Sequence, residues 1–213
     1  KVHLCSIKIL LVSATEFEIA SYFKQKDTID VLLTGVGMPI ALYHLQKKIT
    51  ENRYNLVIQV GLAGAFTTKF ELGETVFVNQ DTFGDLGIEE KERFTPIFET
   101  DLFNKNEFPF ENGWLVNKNK ILQQSTLEVV KAVTINKVTD KGNIKQQLID
   151  SFNPDIETME GAALHYVCLH QNIPFIQLRA ISNYVGERDK TKWKIDLAIS
   201  NLHNELIKLL KQL

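Results

Sequence analysis

The sequence predicts an α/β fold, a three-layer sandwich in which helices cover both faces of a central mixed, mostly parallel sheet. Three observations predict it. Near-continuous β-favouring apolar runs recur along the chain (Ile7–Ser13, Asp30–Thr34, Leu56–Val60, Pro174–Ile181), as expected of strands covered on both faces. Stretches of helical periodicity lie between and after them. Three successive runs end in small residues, Ser13-Ala-Thr15, Gly35-Val-Gly37 and Gly61-Leu-Ala-Gly64, which puts small-residue loops on the side where open α/β sheets take ligands.

The elements follow in order. Ile7–Ser13 is the first strand, and Ser13 or Thr15 caps a helix that carries Phe17, Ile19, Ala20 and Phe23 inward. Asp30–Thr34 is the second strand, and Pro39 opens an amphipathic helix to about Ile49. Leu56–Val60 runs into the glycine loop, where absent side chains let backbone approach a ligand closely. Leu72–Val78 is a further strand, and Asn79–Glu92 is polar. Residues 94–119 form an irregular excursion too long for an ordinary connection, whose aromatics serve either packing or a lid over an aromatic substrate. Glu128–Ile135 is a strand, Val138–Gly142 turns into a helix to about Phe152, and Ile156 and Glu157 make a short strand. A buried helix starts near Met159 and ends before Pro174. Pro174–Ile181 is the last core strand. A helix from about Lys192 carries an apolar stripe that includes Ile195, Leu202, Leu206 and Leu209.

At 213 residues, the chain fits one domain over residues 1–213 with a full core. A net charge of −2 and a pI of about 6.3, with Lys and Arg scattered, argue against nucleic acid or a membrane surface as partner. The run Ile7–Val12 is far shorter than the roughly 20 residues of a membrane span, and it lacks a signal-peptide cleavage pattern. Neither the two cysteines, Cys5 and Cys168, nor the five histidines show metal-ligand spacing, so no metal or other cofactor is expected. Cys168 reads as a free buried thiol, which favours a reducing, cytoplasmic compartment.

Three positions carry candidate chemistry. Glu160 falls in the first turn of the buried helix. It is either a carboxylate complementing the helix dipole or one aimed into a pocket, where its two oxygens match a vicinal diol such as ribose hydroxyls. Glu18 follows the first strand. It is either a solvated helix residue or a general base that activates water at an anomeric carbon, with Glu16 as its competitor. Asn183 ends a strand, as a turn former or as a donor to a departing base. Its amide N–H groups suit the N7 and O6 acceptors of a 6-oxopurine better than the edge of adenine.

Ser13-Ala-Thr-Glu-Phe-Glu18, Met159-Glu160-Gly161-Ala162 and Arg179-Ala-Ile-Ser-Asn183 together resemble the nucleoside phosphorylase/nucleosidase superfamily, on its hydrolase side, over the whole chain. The resemblance implies a nucleoside phosphorylase-like fold, with Glu18 associated with the attacking water. It also implies that Glu160 binds the ribose hydroxyls with Met159 on the sugar, that Gly61, Ala63 and Gly64 line the site, and that Asn183 is the leaving-base group oriented by Ser182. The adenine-specific enzymes have Asp at position 183 and a further acid where this chain has Thr158, which the resemblance carries over as a substrate-binding position. Those departures, with Phe83-Gly-Asp-Leu-Gly87, Arg188-Asp189 and Trp193, look like futalosine hydrolase. That family releases hypoxanthine from futalosine in menaquinone biosynthesis, and Arg188 or a Phe of the excursion is then the candidate partner for the aryl carboxylate of that substrate. The resemblance further implies a homodimer or higher homo-oligomer. Residues 1 to 50 contain no arginine to clamp phosphate, which favours a hydrolase over a phosphorylase. Other purine nucleosidases, phosphorylases and a silent nucleoside-binding protein are the alternatives.

Overall fold

The computed structural model describes residues 7–19, 29–91, 93–140 and 142–213. β1 (Ile9–Ser13) lies between two parallel neighbours, β2 (Ile29–Leu33) and β3 (Leu56–Ala65). α1 (Met38–Glu51) connects β2 to β3, with Pro39 in its first turn as expected. Further along come β4 (Thr75–Asp81), a hairpin of β5 (Gly87–Glu90) and β6 (Arg93–Pro96), then β7 (Phe110–Glu111) and β8 (Trp114–Val116). The one-turn α2 (Ile121–Gln124) precedes β9 (Val129–Thr134), α3 (Gly142–Phe152), β10 (Ile156–Thr158) and α4 (Gly161–His170). β11 (Phe175–Tyr184) and α5 (Ile195–Gln212) end the chain.

The sheet is mixed, and part of it closes. β3 pairs with β11, β11 with β4, β4 with β9, β9 with β10, and β10 again with β3. Strand alternation turns one set of side chains into this ring. Each of the five strands contributes small or branched residues to one layer inside it, including Ala63, Val76, Ala132, Ile156 and Ile181. The same alternation places Gln59, Thr134, Thr158, Gln177 and Arg179 on the inner face, as a second and polar layer. Outside the ring, α5 packs on β3 and β11, and α1 and α4 pack together on the other side of the sheet.

Several expectations are corrected. The segment after β1 is a single 3-10 turn, Glu16–Glu18, in which Phe17 is 57% exposed rather than inward, while Ile19 is buried. Ala20 and Phe23 lie outside the described residues. Gly61 to Gly64 is no loop: β3 runs through it to Ala65, because pairing with β11 and β10 continues there. The stretch read as polar, Asn79–Glu92, holds the end of β4, a turn and β5, and the excursion after it opens with β6. Three aromatics of the excursion are packed, Phe98, Phe103 and Phe110 in edge and tilted contacts joined to Phe83 and Tyr166, whereas Phe108 is 67% exposed. Cys168 is a free buried thiol, as expected. Among the described residues, no helix is long and apolar enough to cross a membrane.

Candidate active site

β1 delivers Ser13 to the end of the sheet, and the 3-10 turn then folds Glu18 back over it. Glu18 Oε2 accepts from the Ser13 hydroxyl (2.8 Å) and from the Thr15 backbone N–H and hydroxyl (both 3.0 Å). Its Oε1 accepts from the Leu62 N–H of β3 (3.2 Å) and has room for a second donor. Glu18 is buried, whereas its competitor Glu16 points to solvent.

Glu160 is the N-cap residue of α4, since the helix begins at Gly161 rather than near Met159. Its Oε1 accepts the Gly37 backbone N–H at 2.9 Å, which brings the small-residue turn after β2 to the start of α4. Burial pushes the Glu160 carboxyl above its ordinary range; the Arg179 charge and the Gly37 hydrogen bond oppose that, and nearby Glu18 reinforces it. The two carboxylates therefore belong to one site. Met159 sits half-buried beside Glu160.

Between and behind them lies Arg179, 1% exposed. Its Nη2 donates to Gln59 Oε1 at 2.7 Å. A Cβ on Gly61 would stand 2.3 Å from Arg179 Nη1 and 3.0 Å from Glu18 Oε1, so glycine is what lets the guanidinium and the carboxylate meet the strand there. Residue-by-residue reading gave Arg179 no role. The available signal was an arginine inside a run covered on both faces, where a buried charge has to be compensated.

Asn183 follows a register shift at Ser182 in β11. The Ser182 hydroxyl donates to Asn183 Oδ1 at 2.8 Å and stands 3.3 Å from the Ala63 carbonyl oxygen. Asn183 Nδ2 donates to the Tyr184 carbonyl (3.2 Å) and keeps a second hydrogen. Gly64 lies alongside: a Cβ there would be 3.2 Å from Asn183 Nδ2.

Two predicted residues stand apart. Thr158 points into the ring, its hydroxyl 2.9 Å from that of Thr134 and accepting the Gly161 N–H at 3.3 Å. Arg188 is exposed, with its guanidinium 5.5 Å from the Trp193 ring centroid. Beneath Gly161 lies a buried polar group that sequence reading missed. Asp81 Oδ1 accepts from Thr82 N–H and Thr134 O–H, both at 2.9 Å, and Thr134 Oγ1 in turn accepts the Ala162 N–H at 2.8 Å. Burial raises Asp81 to about 7, against hydrogen bonds from Thr134 and Gln177 and the charge of Arg179. Among the described residues, no three His, Cys, Asp or Glu side chains are grouped to hold a metal ion.

The arrangement brings two carboxylates and a buried cation together near Gly61, with the amide of Asn183 beside Gly64 three residues further along β3. Residues 11–212 match the model of the phosphorylase superfamily. The chain is 30% identical over 188 residues to futalosine hydrolase of Thermus thermophilus, covering 85% of this chain and 80% of that one. It is 27% identical over 187 residues to futalosine hydrolase of Streptomyces coelicolor, covering 84% and 77%. In fold it resembles the S-adenosylhomocysteine nucleosidase of Streptococcus pyogenes, solved with 5-methylthiotubericidin, at a TM-score of 0.80 and 15% identity over 99% of both chains.

Proposed function

The chain belongs to the phosphorylase superfamily and, within it, to the futalosine hydrolase family, and from that premise we propose that it hydrolyses the N-glycosidic bond of futalosine and releases hypoxanthine. The observation that carries the hydrolytic step is Glu18: four donors fix its carboxylate, and Oε1 has one acceptor position left for a water. That water attacks C1′ and gives its proton to Glu18. The C1′–N9 bond breaks, and its electron pair leaves with the base. The N–H that Asn183 does not give to Tyr184 stabilises the charge at N7, Glu160 holds the ribose hydroxyls, and Met159 lies against the sugar.

Water is favoured over phosphate on electrostatic grounds. Arg179 is engaged by Gln59 and flanked by two carboxylates, so an entering phosphate dianion would meet Glu18 and Glu160 as like charges. Thr158 and Arg188 take no part in this mechanism. A homodimer or higher assembly belongs to the same reading. Its support is the exposed apolar group Val36, Ile40 and Tyr43 at and before the start of α1, next to Gly37. A cytoplasmic enzyme fits the free thiol of Cys168.

The test is chromatographic assay of base release from futalosine, inosine and methylthioadenosine, each with and without phosphate. Hypoxanthine from futalosine without phosphate is expected. Adenine from methylthioadenosine as the main product would move the chain to the adenine nucleosidases, and turnover only with phosphate would remove Glu18 as the water base.

A further inference from the structure

Glu160 occupies the N-cap position of α4, where a polar side chain ordinarily turns back to accept one of the first helical N–H groups. Among the described residues, its carboxylate makes no such bond and accepts the Gly37 N–H instead. The capping is done from inside the ring. Thr134 Oγ1 accepts the Ala162 N–H at 2.8 Å, and Thr158 Oγ1 accepts the Gly161 N–H at 3.3 Å. The two threonines are register partners in β9 and β10 and are 0% and 3% exposed, so their hydroxyls stand together under the start of the helix.

A hydroxyl has one hydrogen and two lone pairs, and that count sets the direction of each bond in the group. Asp81 Oδ1 stands 2.9 Å from Thr134 Oγ1 and also receives the Thr82 N–H, so it takes the Thr134 hydrogen. A proton carried by the carboxyl itself then sits on Oδ2, on the side of Gln177. Thr134 keeps two lone pairs, and one meets the Ala162 N–H. The other is left for Thr158, whose oxygen is 2.9 Å away, so Thr158 is the donor of that pair. With its hydrogen engaged there, Thr158 turns lone pairs toward the Gly161 N–H. One buried acid thus orients two hydroxyls, each presenting oxygen to the helix. Glycine at 161 permits the arrangement, since a Cβ there would stand 2.2 Å from Asp81 Oδ2 and 2.1 Å from Gln177 Nε2.

We propose that Thr134, anchored by Asp81, and Thr158 are positioning residues for Glu160: they cap α4 in its stead and leave its carboxylate free for the ribose. This rests on the hydrolase reading above, in which Glu160 holds the ribose hydroxyls, and it says what keeps that group available. An ionised carboxylate at the first turn of a helix is drawn to uncapped N–H groups there. With the Gly161 and Ala162 N–H groups already satisfied, Glu160 gains nothing by turning back onto its own helix. The chemistry also suits a threonine at 158. A carboxylate in that place, once ionised, has no hydrogen for Thr134 and adds a like charge near Asp81.

The test measures kcat and KM for futalosine in Thr134→Val, Thr134→Ser and Thr158→Val, with calorimetric binding of hypoxanthine, which lacks the ribose, alongside. Valine keeps the shape of threonine and removes the oxygen, which leaves a helix N–H for Glu160 to cap. We expect KM about 20-fold higher in Thr134→Val and about fivefold higher in Thr158→Val, where the lost bond is the longer one. In both, kcat should change by less than about threefold and hypoxanthine should bind as it does to the wild type. Serine retains the hydroxyl, so Thr134→Ser should keep KM close to that of the wild type. If Thr134→Val does not fold, Thr158→Val decides on the same readouts. A wild-type KM in the folded valine variants of a protein that does release hypoxanthine would overturn this inference alone. So would a loss of kcat and of hypoxanthine affinity matching the rise in KM, the mark of general loosening. A wild type that releases no hypoxanthine, with or without phosphate, would overturn the hydrolase reading and this inference with it.

Discussion

The backbone N–H of Gly37 donates to Glu160 Oε1 at 2.9 Å, tying the turn after β2 to the N-cap of α4 across 123 residues of sequence. The carboxylate assigned to the ribose is therefore held by main chain rather than by a side chain. Gly37 takes φ +99°, a conformation that side-chain-bearing residues rarely adopt.

Replacing Gly37 by alanine tests that tie without a clash, since a Cβ there meets nothing within 4 Å. The cost is backbone strain of about 2 kcal/mol, since φ +99° with ψ +145° is a nearly glycine-only conformation. Relief of that strain withdraws the N–H from Glu160. The expected result is a rise of about tenfold in KM for futalosine, with kcat less affected. An unchanged KM in a folded variant would show that Glu160 is positioned by something else.

Gly61 is the contrasting case. Alanine there puts a methyl carbon 2.3 Å from Arg179 Nη1, and the guanidinium has no vacant side to move into because Gln59 holds it. Displacing a buried cation from its partners costs about 3 kcal/mol. Gly61→Ala should lower the urea midpoint accordingly and reduce kcat at least 100-fold, since Glu18 Oε1 is 3.0 Å from the same position. A variant with the wild-type midpoint would mean that Arg179 moves freely.

Asn183 depends on Ser182. Removing the hydroxyl that donates to Oδ1 lets the amide turn, so Ser182→Ala should lower kcat about tenfold at constant KM. Asn183→Asp keeps that hydrogen bond but loses the two-hydrogen donor; hypoxanthine release should fall about 100-fold. Product analysis of both variants with futalosine checks this, and a wild-type rate in Asn183→Asp would remove the amide from the leaving-group role.

The alternation of β-favouring runs and helical stripes made the layered architecture legible, because burial on two faces demands continuous apolar strands. Glu18, Glu160 and Asn183 were legible as positions at strand and helix ends. What was not legible comes from pairing between distant segments. Closure of the ring through β10 and β3 depends on two register pairs, Ile156 with Ala65 and Glu157 with Gly64, which leave no periodic mark. The same closure extends β3 through Gly61 and Gly64, where local chemistry reads as a loop. Phe17 fits an amphipathic pattern, but only a single turn forms there, and it faces out. Arg179 and Asp81 were hidden because their compensation comes from Gln59 and Thr134, far away in sequence.

Asp81 makes stability depend on pH in a direction opposite to that of an ordinary salt-bridged carboxylate. Burial raises it from 3.8 to about 7 in the folded chain. Between those values the unfolded chain releases a proton that the folded chain keeps, so stability falls as pH rises through this window and levels off above it. At 1.36 kcal/mol per unit, the full effect is about 4 kcal/mol. His165 acts the other way: burial lowers it to about 4, so its contribution is lost as pH falls from about 6.5 toward 4. The wild-type curve mixes the two, and Asp81→Asn separates them. The asparagine oxygen still accepts from Thr82 and Thr134, and no charge develops. Urea midpoints from about pH 4 to about pH 8 should show the variant gaining on the wild type across the whole interval up to about pH 7, then holding a constant lead. A gap that does not change with pH would mean that Asp81 is ionised throughout, with its charge compensated by Arg179.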